Sequence, residues 1–342
     1  MPFLTLVFLF LAGCILLHSQ ESLAYALSGL DLWFRKMIPS LLPFMILSGV
    51  MIRLRLSEKI SLILYPLAGP LYRIRKNVCY CMLIGFLCGF PMGARVTADL
   101  RRQGLITHRE AGYLLAFTNN IGPVYFCSFV LPLLGRRLVL PYLFGMYGIP
   151  LLYGLVLRYT VYRDLGNRHT TPDEIALAVQ DTVAGKQPGV PALAAQADLH
   201  MASFRKPARK AGSHPIFWER LLEELDTSIL SSLRSILMLG GYMILFNLMN
   251  LAPHVLAGRP VPILAPLLEI TGGLAMLQDT LPLYSLLALS FGGLSCIAQT
   301  YSSIRDTGLS ISAYVSHKCA LTVLTAAYYL CWFFVSPQSF LC

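Results

Sequence analysis

The chain of 342 residues has little charge: only 13% of its residues are Asp, Glu, Lys or Arg, whereas 56% are hydrophobic. Soluble domains carry about 25% charged residues, so this shortage argues against a soluble protein. The sequence also lacks Walker-type phosphate loops, helical zinc signatures and nucleophile elbows. We therefore expect a membrane protein that is not an enzyme and binds neither a metal nor a cofactor.

The spacing of the cysteines and the distribution of the basic residues narrow the class of protein further. The nine cysteines have no framework spacing and no paired histidines beside them, which predicts free thiols rather than disulfides or metal ligands. The net charge of +10 comes from short basic runs between apolar blocks, such as those at 53–55 and 73–76. This pattern is typical of cytoplasmic loops that face anionic headgroups and does not indicate nucleic-acid binding.

Apolar blocks fill most of the chain. A spanning helix needs about 20 apolar residues. The blocks that approach this length are 3–18, 38–52, 78–94, 138–157, 229–251 and 313–335. Shorter blocks, interrupted by Gly or Pro, lie at 60–72, 111–134, 261–277 and 283–298, as in broken or re-entrant helices that are buried in protein. We predict an all-α polytopic membrane protein with roughly eight to ten membrane-embedded segments.

The composition changes at 162–214, where prolines, alanines, glutamines and charges of both signs replace the apolar blocks. This predicts a flexible linker, which an excess of basic residues places on the cytoplasmic side. The linker would separate a first membrane half, 1–161, from a second, 215–342.

The two halves share a short pattern at one constant offset. Gly89, Ala94, Arg101, Gly104 and Leu105 match Gly293, Ala298, Arg305, Gly308 and Leu309. We interpret the halves as related repeats, which we expect to be inverted. Broken segments at equivalent positions of two halves point to a transporter binding site. Opposite membrane sides for the Gly104 and Gly308 turns would support the inversion.

The motif GFPMGAR at 89–95 is the first candidate site. Pro91 interrupts helical hydrogen bonding, while Gly89 and Gly93 permit a sharp backbone course. A helix that begins just after Pro91 would point free N–H groups and a positive dipole end into the membrane. Arg95 in its first turn could hold an anion. The alternative is a loop that leaves the membrane, with Arg95 paired to Asp99 or to a headgroup.

Two further polar positions interrupt apolar blocks. Asn119 and Asn120 are adjacent amides, and Gly122 and Pro123 break the helix directly after them. At membrane depth they would need partners, which are either a polar ligand or a neighbouring helix.

Glu269 is a lone carboxylate in an apolar block and is a candidate for ion or proton coupling, unless it lies at the membrane interface. Ser295 and Gln299 are candidates because the repeat pairs them with Pro91 and Arg95.

The residues 85–95, the motif NNIGP at 119–123 and the motif LEITGG at 268–273 resemble the sporulation integral membrane protein YlbJ family. That family belongs to a wider group with a nucleoside-recognition, or Gate, domain. The resemblance covers most of the membrane portion but not the linker. It implies a multi-pass protein of the outer forespore membrane that moves dipicolinic acid from the mother cell toward the forespore.

Dipicolinate is a small planar dianion. Arg95 and two helix N-termini could offset its charge, while Asn119 and Asn120 could bind its carboxylate groups. The expected partners are this anionic metabolite and the lipid bilayer, with a second copy of the chain or other spore membrane proteins left open. The alternatives are a carrier of nucleosides or other small metabolites, and a morphogenetic membrane protein that transports nothing.

Overall fold

The computed structural model describes residues 2–135, 138–165 and 217–336, and within these ranges the protein is entirely helical, without strands. All but the first four residues of the predicted linker, 162–214, lie outside the described residues. The division into two halves around a flexible linker therefore stays a prediction.

The helices of the first half follow one another with few long loops. They are α1 (Pro2–Leu17), α2 (Ser19–Leu32), α3 (Ile38–Arg53), α4 (Ser57–Ile60), α5 (Tyr65–Tyr72), α6 (Lys76–Cys88), α7 (Met92–Arg102), α8 (His108–Leu115), α9 (Pro123–Tyr125), α10 (Leu131–Leu134), α11 (Val139–Leu143) and α12 (Ile149–Tyr159). A 3₁₀ turn lies at Ser61–Ile63, and π-helical turns join α2 to α3, α9 to α10 and α11 to α12.

The second half begins with the longest helix. Its helices are α13 (Phe217–Leu248), α14 (Leu251–Ala257), α15 (Ala265–Leu268), α16 (Ile270–Leu277), α17 (Pro282–Phe291), α18 (Gly293–Ile304) and α19 (Ile311–Val335). The helix α13 packs against α2, α3 and α18 and so connects the two halves.

Among the described residues, five helical segments are long and apolar enough to cross a membrane. They are Ser19–Arg53, Val139–Tyr159, Trp218–Ala257, Pro282–Ile304 and Ile311–Val335. Shorter apolar helices lie at Thr5–Leu17, Lys76–Cys88 and Pro123–Leu134. The protein therefore has the helices of a multi-spanning membrane protein, while the number of eight to ten embedded segments stays a prediction.

One predicted span, 78–94, is wrong as a single helix. The chain turns at Gly89, whose φ of +73° favours glycine, and α7 packs back along α6. Within this hairpin, Cys81 Sγ lies 2.9 Å from Thr97 Oγ1. We call residues 76–102 hairpin 1. The Gly-Phe-Pro sequence thus reverses the chain where the hydropathy alone suggested a continuous helix.

A second hairpin comes from α15 and α16, and we call residues 265–277 hairpin 2. Its arms are in close contact: a Cβ on Gly273 would lie 2.1 Å from Pro266 N. Glu269 occupies the turn between the arms. Only glycine allows the two backbones to approach so closely.

The two hairpins enter from opposite ends of the bundle. Arg102, at the base of hairpin 1, donates to Asp306 just after α18. Tyr284, near the start of α17, donates to the carbonyl of Ile263 at the base of hairpin 2. Since α17 and α18 together form the candidate span Pro282–Ile304, these contacts lie at its opposite ends.

We call the two ends of the bundle the linker end and the far end. At the linker end, Arg158 donates both to the carbonyl of Arg73, just before hairpin 1, and to the carbonyl of Tyr162. The start of the predicted linker and the base of hairpin 1 therefore lie together, and the base of hairpin 2 lies at the far end.

The sequence paired the two halves at one constant offset, but the paired residues do not have the same structural role. The turns at Gly104 and Gly308 lie at the same end, where a Cβ on Gly308 would be 3.8 Å from the ring of His108. The helices on either side of Gly89 fold back on each other, whereas those on either side of Gly293 continue as one candidate span. The shared glycines mark helix breaks of two different kinds.

Candidate substrate site at the crossing of four helix breaks

Four interruptions of helices lie close together between the two ends of the bundle. The tip of hairpin 1 contacts the break between α8 and α9. Phe90 N donates to the carbonyl of Asn120 at 2.6 Å, and a Cβ on Gly89 would lie 2.2 Å from Gly122 N. Both breaks were predicted from the sequence, and α7 begins just after Pro91 as expected.

The other two breaks form a similar contact. The tip of hairpin 2 meets the break between α17 and α18, because a Cβ on Gly293 would lie 2.8 Å from the carbonyl oxygen of Pro266. The two pairs of breaks touch where a Cβ on Gly292 would be 3.2 Å from the ring of Phe90. We call this meeting point of residues 89–91, 119–122, 269 and 292–293 the crossing.

A small cavity of about 40 Å³ lies at the crossing, space for about three water molecules. Four of the predicted site residues line it: Pro91, Gly122, Glu269 and Gln299. The remaining predicted residues lie around the crossing without lining the cavity: Gly89, Gly93, Arg95, Asn119, Asn120, Pro123 and Ser295. The hydroxyl groups of Tyr125 and Thr271 add polar groups to the wall.

Glu269 is the charged residue of the cavity wall. It is 2% exposed, and its carboxylate accepts hydrogen bonds from the N–H groups of Thr271 at 3.2 Å and Gly272 at 2.6 Å. Asn247 Nδ2 donates to it at 3.2 Å. The carboxylate thus caps the N-terminus of α16, where the helix dipole stabilises negative charge. It lies inside the bundle and not at an interface loop.

Asn119 and Asn120 lie beside a residue that the sequence reasoning missed. Lys318 on α19 is 2% exposed, and its Nζ donates to the carbonyl of Asn119 and to Asn120 Oδ1, each at 3.2 Å. In the described parts of the chain no carboxylate pairs with it. Its signal was present in the sequence, because an ionisable residue inside an apolar span marks a functional site by default.

The Asn119 side chain joins three elements around Lys318. Its Oδ1 accepts from Ala94 N at 3.3 Å, near the start of α7. Its Nδ2 donates to Thr300 Oγ1 at 2.9 Å and to the hydroxyl of Tyr314 at 3.1 Å. One of the N–H groups predicted to face an anion is therefore already bonded to an amide of the protein.

Arg95 is turned away from the cavity. Its Nη2 donates to Ser231 Oγ at 3.3 Å and Ser232 Oγ at 3.2 Å on α13. Its Nε lies 3.6 Å from Asp99, which is the pairing that the sequence left as the alternative. The atom Nη1 is buried and has no hydrogen-bond partner in the described structure. The structure therefore brings Arg95 to α13 and not to Glu269.

Ser295 and Gln299 form one polar pair on α18. Gln299 Nε2 donates to Ser295 Oγ at 2.9 Å, and the Gln299 side chain reaches the cavity beside Pro91. Their proximity to hairpin 1 comes from the packing of α18 against α7, and not from the repeat pairing by which they were chosen.

Apolar spans, two opposed hairpins and buried charges at their meeting point define a multi-spanning helical membrane protein with a polar centre. The chain is 24% identical to the sporulation integral membrane protein YlbJ of Bacillus subtilis (strain 168), over 94% of this chain and 80% of that protein. This similarity over nearly the whole chain supports the YlbJ family assignment that its motifs indicated. No protein-family profile and no solved structure matches it.

Proposed function

We propose that the protein carries a small organic anion, dipicolinic acid, across the outer forespore membrane. The observation that carries this proposal is Lys318, a buried cation whose hydrogen-bond acceptors among the described residues are two uncharged amide oxygens at the crossing. Burying an ammonium group costs several kcal/mol unless a charged partner offsets it. A carboxylate of the substrate would supply that partner, and Asn119 and Asn120 would hold it in place.

The opposed hairpins support transport over a purely structural role. We infer that the halves are inverted repeats in which hairpin 1 is equivalent to hairpin 2. The broken helices α8–α10 and α17–α18 are then equivalent, as are α11–α12 and α19. Each pair runs in opposite directions between the linker end and the far end. A polar site between inverted repeats built from broken helices is typical of secondary transporters.

The size of the central cavity indicates that this conformation is closed. A space of about 40 Å³ holds a few water molecules but not an aromatic ring with two carboxylates. The hairpin tips must therefore separate to admit the substrate. Movement of one hairpin at a time would open the crossing first to one end and then to the other, as alternating access requires.

The test is uptake of labelled dipicolinate into proteoliposomes. Wild-type protein should give saturable uptake, and Lys318→Met should lower its initial rate about 100-fold, since the buried charge is lost while the side-chain length is kept. Cys319→Met, at the neighbouring exposed position, serves as the control and should transport as wild type does. Absence of saturable uptake by the wild type would exclude the proposal.

Competition in the same assay separates the alternative carriers. Excess unlabelled dipicolinate should abolish the uptake, whereas nucleosides should leave it unchanged because they carry no carboxylate for Lys318. Inhibition by nucleosides instead would select the nucleoside carrier. If Lys318→Met transports at the wild-type rate, the anion site lies elsewhere in the protein.

A further inference from the structure

A second and larger cavity, of about 240 Å³, opens at the linker end. It lies between α8 and α19, and the first residue of the predicted linker, Tyr162, forms part of its wall. The polar and charged side chains that line it are His108, Arg109, Tyr162, Ser310, Tyr314 and His317. Unlike the central cavity, this one has room for a small molecule in the closed conformation.

The lining of this cavity is suited to an anion. Arg109 is its permanent cation, and no Asp or Glu is among its described lining residues. Arg109 is held in place by Asp164 at 2.7 Å and by the carbonyl of Val161 at 3.0 Å, and its guanidinium lies 5.3 Å over the ring of Tyr162. These hydrogen bonds use Nε and Nη2 and leave Nη1 as a donor.

His317 lies deeper in the same cavity. Its Nδ1 is 2.7 Å from the hydroxyl of Tyr153, which fixes the orientation of the imidazole ring. The other ring nitrogen, Nε2, can donate to a carboxylate if Nδ1 accepts from the tyrosine. An oriented imidazole and an oriented guanidinium thus stand at two depths of one cavity.

The floor of this cavity is also the edge of the crossing. Tyr314 is 3% exposed and lines the cavity, while its hydroxyl accepts from Asn119. Lys318 is one turn further along α19, and residues four apart lie on the same helix face. Tyr314 therefore connects the wall of the cavity to the hydrogen-bond network around the buried ammonium group.

We propose that this cavity is the vestibule of the anion path at the linker end. Arg109 and His317 hold a small carboxylate there before it passes Tyr314 and reaches Lys318. Although Asp164 pairs with Arg109, the free Nη1 donor and the imidazole of His317 can still donate hydrogen bonds to a carboxylate of the substrate. This inference rests on the proposed function and adds to it an entrance site with its own residues.

The proposal is tested by a substitution that fills the vestibule and leaves the residues of the crossing unchanged. Ala313→Trp places an indole in the cavity, and Ser312→Trp, one residue earlier and exposed but outside the lining, is the matched control. For Ala313→Trp we expect dipicolinate uptake at least tenfold slower than wild type. Its equilibrium affinity in detergent should stay within threefold, because the crossing is still reachable from the far end. Ser312→Trp should match wild type in both measurements.

Two milder variants keep the proposal testable if tryptophan disturbs folding. Arg109→Gln and His317→Gln should each raise the KM for uptake about fivefold with kcat unchanged. Wild-type uptake by Ala313→Trp, or an unchanged KM in both milder variants, would overturn the vestibule while leaving the proposed function intact. Wild-type protein that neither binds nor transports dipicolinate would overturn the proposed function itself.

Discussion

The two hairpins meet at the same crossing, yet their tips differ in charge. The tip of hairpin 1, residues 89–91, carries no ionisable side chain, and its Phe90 ring lies 5.9 Å from the ammonium group of Lys318. The tip of hairpin 2 is Glu269, whose carboxylate caps its own helix. The crossing therefore has a cationic side and an anionic side.

The separation of these charges has a functional consequence. Lys318 and Glu269 form no ion pair with each other, so neither neutralises the other in the closed state. Under the proposed function, the substrate anion occupies the cationic side, and a cation or proton occupies the anionic side. Coupled transport of the two solutes requires that filling one site changes the affinity of the other site or the opening of the crossing.

The largest effect is expected at the tip of hairpin 1. In Gly89→Ala, the alanine would have to adopt a positive φ, and its Cβ would lie 2.2 Å from Gly122 N. We expect a loss of about 3 kcal/mol or more in the free energy of unfolding, measured by denaturation in detergent. Gly135→Ala is the matched control, since its φ is also positive but nothing lies within 4 Å of the added Cβ. Its cost should be about 1–2 kcal/mol, from backbone strain alone.

Equal losses in the free energy of unfolding of Gly89→Ala and Gly135→Ala would contradict this expectation. They would mean that backbone conformation alone, and not contact between the two breaks, determines the stability of the crossing.

The next largest effect is expected for Arg95→Gln, which tests whether a second cation belongs to the cationic side. The change removes the Asp99 pair and hydrogen bonds to α13, and should cost about 2 kcal/mol in stability. Because the guanidinium points away from the cavity, dipicolinate affinity should stay within threefold in a binding assay, whereas Lys318→Met should abolish binding. An affinity loss of tenfold or more would restore Arg95 to the anion site, as the sequence predicted.

The contrast between Arg95 and Lys318 shows what the sequence could establish. Helix breaks are local events, since Gly, Pro and paired amides interrupt hydrogen bonding wherever they occur. The breaks at 89–91 and 119–122 could therefore be predicted, and so could the burial of Glu269. The direction in which a side chain points depends on the rotation of its helix, which the packing of distant elements determines.

Lys318 shows why the sequence reasoning missed one residue of the crossing. It lies in an apolar block of normal length, and average hydropathy hides one lysine among many hydrophobic residues. The pairing of the repeats failed for a related reason, because identical residues at Gly89 and Gly293 serve a reversal in one case and a kink in the other. The equivalence of hairpin 1 with hairpin 2 that we propose instead rests on contacts between helices, which the sequence does not contain.

A smaller effect is expected on the anionic side. Glu269→Gln keeps an oxygen that can accept from Gly272 N but removes the charge. Dipicolinate affinity should change little, while uptake should fall about tenfold and lose its response to an imposed ion or proton gradient. Glu224→Gln, at a partly exposed residue 3.9 Å from Arg53, is the control and should change neither. Normal gradient dependence in Glu269→Gln would remove the coupling role from hairpin 2.

The smallest effect is expected outside the crossing, at the pair between Arg102 and Asp306. Burial would raise the pKa of the Asp306 carboxyl, but the hydrogen bonds and charge of Arg102 outweigh it, so the pKa is lowered. Because the pKa of this carboxyl is lower in the folded state, its ionisation stabilises the folded protein when the pH is above the unfolded-state pKa of about 4. This stabilisation is lost as the pH falls through the folded-state pKa.

Asp306→Asn should therefore cost less than about 1 kcal/mol at pH 7, because both side chains are partly exposed and Asp99 still binds Arg102. The difference from wild type should shrink in thermal unfolding as the pH falls below the unfolded value of about 4, and uptake should be unchanged at pH 7. A large loss of uptake would mean that the contact between hairpin 1 and α18 at the linker end moves during transport. In that case, charges far from the crossing would control access to it as strongly as the two buried ones.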